Sequence, residues 1–157
     1  MKILIATDSF KGSLSSLEAG NAIADEIRRA GMPAEIQVSP IADGGDGTTE
    51  ALVNGLSGYL ETVTVSDPLG RKQTANYGIL PSGTAVMEMA AAAGLPLLSE
   101  SERNPLYTTT FGVGEMIADA IAKGCRKFII GIGGSATNDG GVGCLQALSF
   151  SFQNADG

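Results

Sequence analysis

An α/β fold whose first sheet is parallel is predicted by three features of the sequence. Short aliphatic runs stand at residues 2–7 (KILIAT) and 127–132 (KFIIGI), as expected of strands buried on both faces. A helical pattern and a second strand-like run follow the first of them, giving the β-α-β-loop-α order of a parallel sheet. The 22 glycines among 157 residues gather around residues 44–47 and 131–143, so they mark special loops rather than low complexity.

Each element has a local reason. Residues 8–12 break the first strand. Ser15 and Glu18 then have the spacing of a capping box, and Leu14, Leu17, Ile23 and Ile27 recur near helical spacing until Gly31 and Pro33 stop the helix. Residues 34–39 form a second strand, and the glycine loop after Pro40 opens a short helix ending near Leu56. Residues 59–66 (YLETVTVS) alternate apolar and polar like a half-exposed strand. Asp67-Pro68-Leu69-Gly70 is a turn signal that lets residues 73–80 return as a hairpin partner. A strand at 84–89, an alanine-rich turn at 90–94 and a helix at 111–123 closed by Gly124 follow. Residues 147–153 are expected as a strand, and Asn154-Ala155-Asp156-Gly157 as a hairpin turn whose returning strand is absent, suggesting a truncated chain. A domain boundary is expected near residues 57–58.

Composition removes several functions. The net charge is −7, and the longest basic clusters are the pairs Arg28-Arg29 and Arg71-Lys72, so no nucleic-acid-binding face is expected. Histidine is absent and Cys125 and Cys144 are the only cysteines, which excludes His/Cys zinc sites and histidine-activated nucleophiles within this chain. Met1-Lys2 leads straight into a strand, with no signal-peptide core and no membrane-spanning run. A reduced, cytoplasmic chain is expected, with no membrane partner.

Three segments carry chemistry. Asp8-Ser9-Phe10-Lys11-Gly12-Ser13 lies at the C-terminal end of the first strand, where open α/β sheets bind ligands. Lys11, Ser9 and Ser13 can meet an anion with charge and hydroxyls, although a capped turn with one exposed lysine would read the same way. No Walker A loop occurs in the chain. Asp43-Gly44-Gly45-Asp46-Gly47-Thr48 pairs two carboxylates with glycines that permit close backbone approach. Such a pair could take a hydroxyl proton or hold a divalent cation through water, and a plain Asp-Gly turn competes with that reading. Residues 131–143 (GIGGSATNDGGVG) follow a buried strand and precede a helix, as an oxyanion or phosphate loop does. Their match to a dinucleotide fingerprint is discounted, because the downstream βαβ unit with its acidic end is missing.

Together and in this order, DSFKGS, ADGGDGT and GIGGSATNDGGVG closely resemble the bacterial glycerate kinase family. The likeness runs through the whole chain and includes the SDPLGR turn and the NPLYTTTFGVGE stretch. Family members are much longer, so the resemblance makes this chain an N-terminal part. It implies two α/β domains, one Rossmann-like, with the active site in the cleft between them. Residues 1–58 would then begin the Rossmann-like domain and 59–157 an incomplete second one.

The resemblance further implies ATP, Mg2+ and D-glycerate, with 2-phosphoglycerate the usual product and 3-phosphoglycerate the alternative; the metal ligands stay open. Asp8, Asp43, Asp46 and Asp139 are the candidate bases, and Lys11 would neutralise the glycerate carboxylate or a phosphate. Ser9, Ser13, Gly44, Gly45 and Asp46 are expected at the substrate, and Gly133, Gly134, Ser135, Thr137, Asn138, Gly140 and Gly141 at phosphate. Two rival readings are a nicotinamide-dependent oxidoreductase using residues 131–136 and a domain that binds a small acid without turning it over. An unpaired strand at the end of the chain favours association, and a homodimer is the simplest form.

Overall fold

Strand β1 (Lys2–Ile5) pairs in parallel with β2 (Glu35–Val38), Lys2 opposite Glu35 and Ile5 opposite Val38. The computed structural model describes residues 1–10 and 13–153. Lys11, Gly12 and the turn expected at 154–157 lie outside the described residues. A parallel pair needs a crossover, which α1 (Ser16–Arg29) supplies. The capping box forms as expected: the Glu18 N–H donates to Ser15 Oγ at 3.2 Å, and the Ser15 N–H to Glu18 Oε2 at 2.8 Å.

The buried face of α1 differs from the expected apolar stripe. Ser16, Ala19, Gly20 and Ala24 are buried, whereas Ile23 is 43% exposed. Ser16, Gly20 and Ala24 are four residues apart and so form one ridge. Their small size lets the helix press onto β2, where a Cβ on Gly20 would collide with Val38 Cγ1.

The second sheet has four strands in sequence order. Antiparallel β3 (Tyr59–Ser66) and β4 (Lys72–Ile79) pair along their whole length, from Tyr59 opposite Ile79 to Ser66 opposite Lys72. The turn between them is the one expected: Asp67 Oδ1 accepts the N–H groups of Leu69 and Arg71, each at 2.8 Å. Strand β5 (Thr84–Glu88) is antiparallel to β4 and parallel to β6 (Lys127–Gly131).

Helices complete this unit. α2 (Thr48–Gly55), although it precedes residues 57–58, lies on the second sheet, with Val53 Cγ2 filling the space beside Gly78. The alanine-rich turn closes into one helical turn, α3 (Ala90–Ala93). α4 (Phe111–Ala122) makes the crossover to β6. Its Val113, Met116 and Ala120 pack against Val65, Tyr77, Ile79 and Met87 of the sheet, forming the main core.

Residues 147–153 do not form a strand. Ala147 closes α5 (Val142–Ala147), and Ser149 turns the chain at φ +71°. The N–H groups of Leu148, Ser149 and Phe150 donate back to carbonyls of residues 144–146, which withdraws these three from any ladder. The short apolar run could be read as either element, and helical hydrogen bonds close within the segment without a partner strand. Among the described residues, no helix is long and apolar enough to cross a membrane.

One polar network stitches α4 to the hairpin. The fully buried Tyr77 hydroxyl donates to Asp119 Oδ2 at 2.7 Å, and Lys123 Nζ donates to Asp119 and Glu61, each at 2.9 Å. Burial and the Asp119 carboxylate both push the Tyr77 phenol upward. Burial alone would raise the Asp119 carboxyl, but the donors from Tyr77 and Lys123 outweigh it and hold the group below its ordinary range. Tyr77→Phe should therefore cost about 1–2 kcal/mol in urea unfolding, the value of a hydrogen bond to a partly solvated charge. Unchanged stability would show that water replaces the phenol at no cost.

Candidate functional site

The loops that leave β1, β2 and β6 meet at one open cavity of about 1110 Å3. The first contact is between the DSF and GGDG segments, where Ser9 Oγ donates to the Asp46 carbonyl at 3.4 Å. The second is backbone against backbone: the Gly133 N–H donates to the Gly44 carbonyl at 3.1 Å. Gly131 is buried at this junction, and a Cβ there would stand 2.5 Å from Gly44 O. Only a residue without a side chain allows such an approach.

The wall is acidic. Asp8, Asp43, Asp46, Glu50 and Glu88 border the cavity, and no Lys or Arg does so among the described residues. Asp8 Oδ1 accepts the Ser9 N–H at 2.7 Å and Asp43 Oδ1 accepts the Gly45 N–H at 3.0 Å, so one carboxylate oxygen of each is fixed by backbone. Gly47, at φ +88°, turns the loop into α2, and the helix begins with no side-chain cap from its own N-cap residue. Glu88, at the end of β5, takes that place by accepting the Thr49 N–H at 2.8 Å. The neighbouring Thr49 hydroxyl is buried at the same wall and has no partner among the described residues. Across the cavity, the Gly134 N–H has no protein acceptor among the described residues.

The expected site residues separate into three groups. Asp8, Ser9, Asp43, Gly44, Gly45, Asp46, Gly133 and Gly134 line the cavity together. Ser13 borders an adjoining depression with Ser9, Asp46 and Glu50. Lys11 lies outside the described residues. Ser135, Thr137, Asn138, Asp139, Gly140 and Gly141 do not line the cavity, and the second half of their loop is tied to the protein instead. Ser135 Oγ and Thr137 Oγ1 pair at 2.9 Å, and the Ala136 N–H donates to Ala93 O at 2.8 Å.

Asp139 shows the reason most clearly. Its Oδ2 accepts the Thr110 N–H and hydroxyl, each at 2.8 Å, and the Gly143 N–H at 3.1 Å, while Oδ1 accepts the Gly141 N–H at 3.1 Å. Burial disfavours its charge, but these donors prevail and hold the carboxyl below its ordinary range. A carboxylate bound this way ties the N-cap residue of α4 to the start of α5, and it does not line the cavity. Glu88, like Thr49 and Glu50, is a wall residue that the motifs did not mark. The one signal for Glu88 was an acid closing an otherwise buried strand, TAVME.

Comparison with known proteins agrees with the motifs. The sequence matches the Glycerate kinase family over residues 3–157. It is 51% identical to glycerate kinase of Bacillus subtilis (strain 168), covering 94% of this chain and 39% of that protein. It is 48% identical to glycerate 2-kinase of Escherichia coli (strain K12), covering 100% of this chain and 42% of the other. The crystal structure of a protein described as glycerate kinase 2 from Salmonella typhimurium LT2 superposes with a TM-score of 0.83 at 48% identity, over 94% of this chain and 40% of that one. The chain thus spans about two fifths of the length of these relatives. With its three motif loops joined at one acidic, glycine-walled cavity, the chain belongs to the glycerate kinase family.

Proposed function

We propose that the complete protein carrying this chain phosphorylates D-glycerate with ATP. The observation that carries this reading is the backbone junction between Gly44 and Gly133, which joins an acidic loop to a glycine loop at one cavity, where the Gly134 N–H has no acceptor among the described residues. Phosphoryl transfer requires positioning, neutralised charge and an oriented nucleophile more than covalent chemistry. Asp8, Asp43 or Asp46 takes the proton of the glycerate hydroxyl as its oxygen bonds to the terminal phosphorus and the bond to ADP breaks. Gly133 and Gly134 receive the phosphate side, and Lys11 neutralises an anion that the acidic wall would otherwise repel. The name of the E. coli relative supports 2-phosphoglycerate as the product.

The wall also suits Mg2+. Among the described residues no three metal-ligating side chains converge, but Mg2+ in kinases usually takes one or two carboxylates together with phosphates and water. Asp8, Asp43 and Asp46 would supply the carboxylates, and the ion would neutralise phosphate charge. On the same reading the complete protein has two α/β domains, with α2 on the second sheet although it precedes residues 57–58, and it works in the cytoplasm.

The test is ADP release from the complete protein, with and without D-glycerate. Glycerate-dependent turnover is expected, with no quenching of nicotinamide fluorescence, and the reverse result would favour an oxidoreductase. Lys11→Ala should lower kcat/KM for glycerate by about tenfold, within the range of one charge-assisted contact. An unchanged value would remove Lys11 from the substrate.

A further inference from the structure

We propose that Glu88 is a positioning residue that sets the ADGGDG loop by holding the start of α2. This rests on the kinase reading above for its consequence, though not for its geometry. Glu88 is the last residue of β5, in register with Gly131 on β6. Met89, next along the chain, donates its N–H to the Gly131 carbonyl at 2.8 Å. The backbone here is therefore locked to the strand that delivers the third motif. From the same place the Glu88 side chain reaches across 39 residues of sequence to the Thr49 N–H at 2.8 Å.

The consequence follows from helix physics. The first N–H groups of a helix have no internal partner, and a carboxylate at that end is favoured by hydrogen bonding and by the helix dipole. Gly47 has no side chain with which to cap α2, so the cap comes from another strand. The ADGGDG loop ends where α2 begins, and its Gly44 carbonyl holds Gly133. Glu88 thus closes a circuit: β5 to β6, β6 to the glycine loop, that loop to Gly44, and α2 back to β5. Loosening the Thr49 link would let Asp43 and Asp46 drift relative to Gly133 and Gly134. What the circuit needs from Glu88 is an acceptor oxygen at that distance, rather than its negative charge.

Glu88→Gln and Glu88→Ala in the complete protein separate these requirements. Amide hydrogen exchange at the start of α2, thermal midpoint, and kcat and KM for glycerate would be measured on each. Glu88→Ala should speed exchange at Thr49 and lower kcat about tenfold, as a small misplacement of reacting groups does. Glu88→Gln keeps the acceptor and should retain both the protection and most of kcat. Unchanged exchange at Thr49 in Glu88→Ala would overturn the proposal. So would a Glu88→Gln variant as impaired in kcat as Glu88→Ala, which would assign the effect to charge. A thermal midpoint lowered in Glu88→Ala with kcat intact would reduce Glu88 to a stability role and also overturn it. A wild-type protein without glycerate-dependent turnover would defeat the kinase reading, while exchange would still decide the Thr49 link.

Discussion

Alanine at Gly131 is expected to force the two glycine loops apart, lowering kcat/KM for glycerate about 100-fold and stability by about 1–3 kcal/mol. The added Cβ would stand 2.5 Å from the Gly44 carbonyl oxygen and 3.1 Å from its carbon. Neither atom is the end of a flexible side chain. The Gly44 carbonyl is held by the Gly133 N–H, and the Gly131 carbonyl by the Met89 N–H. The strain can be relieved only by moving backbone at the cavity wall, which displaces Asp43 and Gly134 together. Gly55 is the matched control, because it closes α2 with nothing within 4 Å of its Cβ position and no unusual φ. Gly55→Ala should be neutral or stabilising by up to about 1 kcal/mol. Urea unfolding and steady-state kinetics on both variants check this. A Gly131→Ala protein with wild-type kcat/KM would mean that the loops need no close contact.

Much of this arrangement was legible in the sequence because the signals are local. The Ser15–Glu18 box, the Asp67–Gly70 turn and the alternation in YLETVTVS each act within a few residues, and each formed where expected. The apolar spacing marks α1 as a helix but not its buried face, because close approach to β2 favours the small residues Ser16, Gly20 and Ala24. The apolar run at 147–153 carried no partner information, and local helical bonds took the donors of Leu148, Ser149 and Phe150. Site residues divide along the same line. Glycine clustering announced the loops, but nothing local distinguishes the wall residues Gly133 and Gly134 from Asp139, which is bound to Thr110 across 29 residues. Glu88 was hidden for the same reason, since its partner Thr49 lies 39 residues away.

Asp139→Ala is expected to lower stability by about 2–4 kcal/mol and to abolish most activity as a consequence. Five donors close on this carboxylate: the Thr110 N–H and hydroxyl, the Thr109 hydroxyl and the N–H groups of Gly141 and Gly143. Alanine would leave them facing a methyl group, with water reaching only some of them, because Thr110 and Gly143 are both buried. The N-cap residue of α4 and the start of α5 would both lose their shared tie. The pH dependence gives a second signature. A carboxyl held below its ordinary range contributes stability that is fully present above the unfolded value, near pH 4, and is lost as pH falls through the lower folded value. The wild-type protein should therefore lose part of its advantage over Asp139→Ala below about pH 4. Urea midpoints of the two proteins at pH 7 and pH 3 measure this difference. A catalytic base would behave otherwise: its removal would abolish turnover while leaving the pH 7 midpoint unchanged. That result would return Asp139 to the reacting groups and require its loop to open toward the cavity.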